Sequence, residues 1–291
     1  MGLPMDSRCY LCHFRRKLAT AHKLGDEATV TAFARELMKL YLSAPEDAPS
    51  VWLNPATTEL MDRFFGTGPD PMRRQKELSN AFVLKRLDAI RAKAHAAHDP
   101  VQKGLHLAIA GNYIDFSAYE DTLDAENLGD LDELIDSAEY PGMDEDVYAR
   151  FLSELAQAKT LLYITDNAGE IVFDRVFAEI LKERFPQLQI TFCVRGGPAQ
   201  NDATREDALA VGIPFPVIDN GTCIPGTPPE LVSDECRRAL ETSDVIFAKG
   251  MANVETMLGC GYPIYYAFLV KCSRFAHHFR KPMSSPVLYR E

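Results

Sequence analysis

Asp166, Asn167 and Asp202 offer oxygen atoms of the kind that hold hard divalent cations such as Mg2+ or Mn2+. Asp166-Asn167-Ala168-Gly169-Glu170 follows one short apolar run, and Asn201-Asp202 lies a few residues beyond another. Three such ligands leave about half of an octahedral shell for water and a phosphoryl oxygen, which the cation would polarise. Lys249 could neutralise a further oxygen, and a helix opening near Gly169 would turn free backbone N–H groups towards an anion. Each group also has an ordinary structural alternative. Asp166-Asn167 and Asn201-Asp202 are good helix N-caps, and Lys249 could be a surface lysine.

The elements that must position these residues follow from the pattern of apolar residues. Leu161 to Ile164, Ile190 to Val194, Phe215 to Ile218, Val245 to Ala248 and Ile264 to Val270 read as short buried strands. Helix-length amphipathic stretches, such as Ile171 to Arg184, Ala203 to Val211 and Pro229 to Glu241, separate most of them. Strands alternating with helices give a mostly parallel sheet, and ligands bind beyond the carboxyl ends of its strands. Carboxylates, amides and a lysine from three strand ends thus converge on one edge. Residues 1–158 read almost wholly as helix and residues 159–291 as the α/β part, with the helical region expected over the site. Val30, Phe33, Leu37, Leu40 and Tyr41 mark one buried helical face, Asn54-Pro55 and Asp99-Pro100 read as helix starts, and one long helix is expected from Met72 to His98.

The composition narrows the function. In 291 residues, 42 Asp plus Glu outweigh 31 Lys plus Arg, a formal charge of -11, so no basic field suits nucleic acid or an anionic membrane. No apolar run approaches the ~20 residues of a membrane helix, and the first eight residues form no export leader, so a cytoplasmic protein is expected. A small-molecule substrate fits best, and an anionic one needs a local positive site. The stretch from Glu120 to Asp146 is rich in acids without Lys or Arg and reads as a solvated surface. The sequence gives no oligomeric state.

Taken in order, Gly111-Asn112-Tyr113-Ile114-Asp115, Asp166-Asn167-Ala168-Gly169-Glu170, Arg195-Gly196 with Asn201-Asp202, and Lys249-Gly250 to Asn253 resemble the damage-control phosphatase family. The resemblance spans nearly the whole chain, and Cys9-x-x-Cys12 looks like the mark of the family's microbial subgroup. It implies a Rossmann-like α-β-α sandwich with an all-helical N-terminal part. It implies a divalent metal (Mn2+, Ni2+, Co2+ or Mg2+) on Asp166, Asn167 and Asp202. It implies hydrolysis of phosphate monoesters of sugars or damaged metabolites, with either water or Asp166 as nucleophile. Asp166, Asp202, Lys249 and Lys271 are then the catalytic set, with Lys271 on the phosphate. Glu170, Arg195, Met251, Ala252, Asn253, Val254 and Glu255 fall on the substrate side. The eukaryotic branch's Arg-Thr-x-Lys reads Phe268-Leu269-Val270-Lys271 here, so only the lysine carries over.

Asn112 and Asp115 are spaced i, i+3 after the apolar stretch Leu105 to Ala110, and are expected to point over the metal edge and help enclose substrate. Asp202, at a strand-end loop, is expected as a ligand to lose turnover on replacement by Ala with the fold largely intact, and as a mere N-cap to cost ~1 kcal/mol and spare catalysis. Three other readings fit the residues less well. A haloacid dehalogenase-type phosphatase wants Asp-x-Asp, but Ala168 holds the third position. An S-adenosylmethionine-dependent carboxyl methyltransferase wants several glycines after the first strand, where only Gly169 stands. A noncatalytic metal-binding protein would show no turnover. Cys9-Tyr10-Leu11-Cys12-His13 matches a haem-attachment pattern, but no export leader accompanies it, and no second Cys pair completes a zinc ribbon. Two packing thiols on a helix, or a metal or redox role, are the alternatives.

Overall fold

The computed structural model describes residues 2–113, 131–133, 135–136, 138 and 143–291. Asp115 and most of the acidic stretch lie outside them. Of that stretch, Asp132 and Asp136 pair with Arg86 and Lys93.

Helices α1 (Ser7–Leu24), α2 (Glu27–Ser43), α3 (Asn54–Phe65), α4 (Arg73–Leu84), α5 (Leu87–His95) and α6 (Pro100–Ala110) lead into α7 (Glu145–Gln157). Then follow β1 (Thr160–Ile164), α8 (Glu170–Arg184), β2 (Gln189–Val194), α9 (Arg205–Ala210) and β3 (Val217–Asp219). The chain continues with α10 (Asp234–Thr242), β4 (Val245–Lys249), α11 (Gly250–Met257), β5 (Ile264–Leu269), α12 (Ser273–Phe279) and β6 (Pro286–Arg290). The strands form one sheet in the order β3-β2-β1-β4-β5-β6, parallel except for the antiparallel edge strand β6. The order reverses between β1 and β4, and that switch point opens a crevice at their carboxyl ends.

Alternation along the strands sorts the core into two layers. Tyr163, Phe192, Phe247 and Tyr265 face Phe173 and Phe177 of α8, with Leu105 and Ile109 of α6 in the same cluster. Leu162, Ile246, Tyr266 and Phe268 face Leu240 of α10, Val254 of α11 and Phe275 of α12. The result is a Rossmann-like α-β-α sandwich. Residues of α4, α5 and α6 belong to one of its two cores, whereas α1, α2 and α3 bury a separate cluster around Phe33 and Leu37. Among the described residues, no helix is long and apolar enough to cross a membrane.

Several boundaries differ from the sequence expectation. The single helix expected from Met72 to His98 is two, α4 and α5, because the chain turns at Lys85-Arg86. Arg86 N–H bonds the Val83 carbonyl at 2.8 Å, and the Arg86 guanidinium is held by Asp132 at 2.6 Å. Strand β3 begins at Val217, two residues late, since Pro216 has no N–H for the ladder and contributes only its carbonyl, to Phe192 N–H. Helix α10 starts at Asp234 because Ser233 caps it, its hydroxyl accepting from Cys236 N–H. Helix α9 is capped by Thr204 in a capping box with Asp207, so Asn201 and Asp202 are not its cap. Asp99 does cap α6, bonding Gln102 N–H at 3.0 Å.

Candidate active site at the sheet switch point

The loops after β1 and β2 are stitched together by backbone. Ala168 N–H bonds the Asn201 carbonyl at 2.9 Å, Ala203 N–H bonds the Asp166 carbonyl at 2.7 Å, and Asn167 pairs with Asp202 as an isolated antiparallel bridge. This pairing brings Asp166, Asn167 and Asp202 to one place, with Gly169 rather than Asp166 or Asn167 at the N-cap of α8. Gly169 adopts φ 79°, and its N–H is held by Asn80 of α4 at 2.7 Å. Gly250, at the end of β4, has φ 76°, and a Cβ there would stand 2.0 Å from Asp166 Oδ2. Only glycine lets β4 turn into α11 so close to that carboxylate.

The amides of Asn112 and Asn167 each donate to two acids. Asn112 Nδ2 reaches Asp166 Oδ2 at 2.9 Å and Glu170 Oε2 at 2.7 Å, and Asn167 Nδ2 reaches the same oxygens at 2.7 and 2.8 Å. The amide oxygen of Asn167 is thereby the atom left to ligate a cation. Burial pushes the Asp166 carboxyl well above the usual range, helped by the nearby Glu170 and Asp202 charges and opposed by Arg195 and Lys271. Asp202 is likewise raised, chiefly by burial, against the pull of Arg195. Arg195 Nε bonds Asp202 Oδ2 at 2.6 Å, and its other nitrogens reach the Thr165 carbonyl, Thr227 and Asn253.

Behind this layer sits a buried ion cluster. Lys249 Nζ donates to the Ala108 carbonyl at 2.8 Å, to Glu170 Oε1 at 2.7 Å and to Asp174 Oδ1 at 2.7 Å. Burial alone would lower the lysine, but the Asp174 and Glu170 charges outweigh it and raise it. Tyr163 OH also donates to Asp174 Oδ1, at 2.8 Å. Burial lifts Asp174 to about 6 in spite of Lys249.

The structure therefore redistributes the expected roles. Lys249 spends its three N–H bonds on protein oxygens and faces no substrate, so its role is internal. Glu170 is fully buried with both oxygens bonded, and Arg195 is spent on Asp202 and backbone. Asn253 is a clasp: its amide donates to the Thr165 and Lys249 carbonyls at 3.0 and 2.6 Å and accepts from the Thr227 hydroxyl at 2.9 Å. Val254 lies in the core under the sheet. Glu255 turns away to Ser50, at 2.6 Å, and to Arg274. Asn253, Val254 and Glu255 are buried because α11 packs against β5, and only its first turn borders the crevice. Met251 and Ala252 remain half-exposed there, and Lys271 lies beside them, its N–H on Met251 sulfur at 3.4 Å. Asp115 is outside the described residues, whereas Asn112 does reach the carboxylates from the helical part.

Sequence reasoning missed Asp174, Tyr163, Asn80 and Gln200. Asp174 had a signal: it stands one turn after Glu170, among Ile171, Val172, Phe173, Val176 and Phe177, where an unpaired acid would not be tolerated. Gln200 has left-handed backbone (φ 54°), two residues before Asp202, and its amide bonds the buried Asn54 at the start of α3. Cys9 is half-buried and Cys12 exposed on α1, so Cys12 is no packing thiol. Trp52 packs beside Met5 and Leu53.

Among the described residues no three His, Cys, Asp or Glu side chains form a metal-binding group, so the candidate donor set is two carboxylates and one amide. Its chemistry suits a hard divalent ion. Among the described residues, the four buried acids Asp166, Glu170, Asp174 and Asp202 outnumber the two buried cations at this edge, Lys249 and Arg195, by two, and this crowding with burial raises the Asp166 carboxyl.

A family model described as the damage-control phosphatase ARMT1-like domain matches residues 5–286. The chain is 30% identical to an uncharacterized protein of Methanocaldococcus jannaschii over 99% of this chain and 96% of that protein. It is 32% identical to a damage-control phosphatase of Pyrococcus horikoshii, over 78% and 77% of the two chains. It is also 32% identical to a damage-control phosphatase of Archaeoglobus fulgidus, over 71% of each. The crystal structure of a DUF89 family protein from Pyrococcus horikoshii superposes with a TM-score of 0.86 at 27% identity, covering 99% of both chains. With that fold and a model match over nearly its full length, the chain belongs to the damage-control phosphatase ARMT1-like domain family.

Proposed function

We propose that this chain is a metal-dependent phosphatase that hydrolyses phosphate monoesters of small metabolites, such as sugar phosphates or damaged metabolites. The observation that carries the reading is the excess of two buried acids over buried cations at the switch point, which one divalent cation (Mn2+, Ni2+, Co2+ or Mg2+) would balance as it displaced their protons. Relatives named damage-control phosphatases support the reaction class. Asp166, Asn167 and Asp202 would hold the ion, which when bound supplies Lewis-acid polarisation of a phosphoryl oxygen. Asn112 and Asn167 fix the Asp166 carboxylate, and Arg195 fixes Asp202. Lys271 and the first turn of α11, with Met251 and Ala252, border the substrate side, and the Lys271 charge already reaches Asp166. A cytoplasmic setting fits this substrate class.

The test is turnover of p-nitrophenyl phosphate and a panel of phosphometabolites by EDTA-stripped protein, with each of the four ions restored in turn. Activity should be absent without metal and return with at least one ion. Undiminished turnover by protein shown to be metal-free would overturn the reading.

A further inference from the structure

The Asp166 carboxylate is held by amides and not directly by a cation. Its Oδ2 accepts from Asn112 and Asn167, and the second hydrogen of each amide goes to Glu170 Oε2. Glu170 thus sets the position of both amides. Glu170 is in turn fixed at Oε1 by Lys249, and Lys249 is fixed by the Ala108 carbonyl and by Asp174. Asp174 ends the chain, its Oδ1 also taking the Tyr163 hydroxyl from the middle of β1. Glu170, Asp174, Lys249 and Tyr163 are all fully buried. Asp174 lies one helical turn from Glu170 on the same face of α8, so the lysine at the end of β4 enters between the two acids.

Lys249 needs a second side-chain acceptor beside Glu170. A buried ammonium with one carboxylate and one carbonyl would have an N–H unspent in a place closed off from bulk solvent. Its flexible stem would let Nζ swing to regain a partner, and Glu170 would follow. The amide pair would then lose its common anchor. We propose that Asp174 is a positioning residue of the phosphatase site, acting through Lys249 to hold Glu170 where it, with Asn112 and Asn167, fixes the Asp166 carboxylate. The proposal rests on the phosphatase reading above.

The test compares Asp174→Asn and Asp174→Leu with the full-length wild type. Asn keeps an acceptor oxygen at the Lys249 position, and Leu keeps the volume without it. Metal-stripped protein is titrated with Mn2+ by calorimetry, and kcat and KM for p-nitrophenyl phosphate are measured with Mn2+ saturating. Partners that orient a metal's ligands change affinity or activity by roughly 10–100-fold when removed. Asp174→Leu should therefore bind Mn2+ about tenfold more weakly and lose about tenfold or more in kcat, with KM within about twofold. Asp174→Asn should restore most of both. If Asp174→Leu does not fold, Tyr163→Phe removes only the hydroxyl that orients Asp174 and should lower kcat about threefold, a few tenths of the effect expected for losing the carboxylate.

A folded Asp174→Leu with a lower melting temperature but wild-type kcat and Mn2+ affinity would make the residue merely structural and overturn the proposal. So would wild-type values for Tyr163→Phe when the leucine variant is unfolded. A wild type that turns over no substrate with any of Mn2+, Ni2+, Co2+ or Mg2+ would instead remove the phosphatase reading itself.

Discussion

Gly250→Ala is the smallest change that bears on the site. A methyl at Gly250 would lie 2.0 Å from Asp166 Oδ2 and 2.1 Å from its Cγ. Carbon and oxygen ordinarily approach no closer than about 3.3 Å, so the carboxylate or the start of α11 must retreat by roughly 1.3 Å. The left-handed φ costs about 1–2 kcal/mol for any residue with a Cβ, and overpacking adds about 1–3 kcal/mol. A displacement near 1 Å at a reacting centre lowers the rate about 100-fold. Gly259→Ala is the control: its φ is 80°, but nothing lies within 4 Å of the added methyl. Both variants should acquire the backbone strain and lose about 1–2 kcal/mol of stability, and only Gly250→Ala should also lose the site. The assays are urea unfolding and Mn2+-supported turnover of p-nitrophenyl phosphate. A Gly250→Ala protein with kcat/KM within about twofold of wild type would refute the claim that Asp166 must stay where Gly250 leaves room for it.

Lys249→Met keeps the apolar stem and strands Glu170 and Asp174 as buried uncompensated acids, so stability should fall by about 3–5 kcal/mol in urea unfolding; a loss under about 1 kcal/mol would contradict the ion cluster. His13 of α1 is pushed down to about 4, first by burial and then by Lys17 and Arg16, while Tyr41 OH lies 2.6 Å from its Nδ1. The unfolded chain then binds the extra proton between about pH 6.5 and 4, so the contribution of neutral His13 is whole above that window and is lost as pH falls through it. His13→Gln should flatten the acid side of the stability curve by about 1–3 kcal/mol, and an unchanged slope between those pH values would count against the assignment.

Much of the fold was legible because a parallel sheet announces itself. β1, β2, β4 and β5 are buried on both faces, so each appears as a short apolar run, and the polar residues after each run mark the crevice. The convergence of Asp166, Asn167 and Asp202 could be read for that reason. What could not be read was direction. Lys249 stands at a strand end like a ligand-facing residue, yet its stem runs back into the core to Asp174, a partner 75 positions away in the sequence. The same holds for Asn253 and Glu255, whose helix position is clear but whose face depends on how α11 rests on β5. Asp202 looked replaceable on its loop. It is the partner of a buried guanidinium, so Asp202→Ala would leave Arg195 unpaired at about 3–5 kcal/mol, and Asp202→Asn is the cleaner variant. The helix break at Lys85-Arg86 carries no glycine or proline to mark it in the sequence, and the acid that pairs with Arg86 there, Asp132, is distant.

The central claim is that Asp166, Asn167 and Asp202 hold one divalent cation whose charge the buried acids require. Calorimetric titration of Mn2+ into EDTA-stripped wild type and Asp202→Asn tests it most directly. The account predicts one ion per wild-type chain and binding weaker by about tenfold or more in the variant, which loses a ligand charge. Equal affinity in the two proteins, or no binding by the wild type of Mn2+ and, in the same titration, of Ni2+, Co2+ or Mg2+, would contradict it.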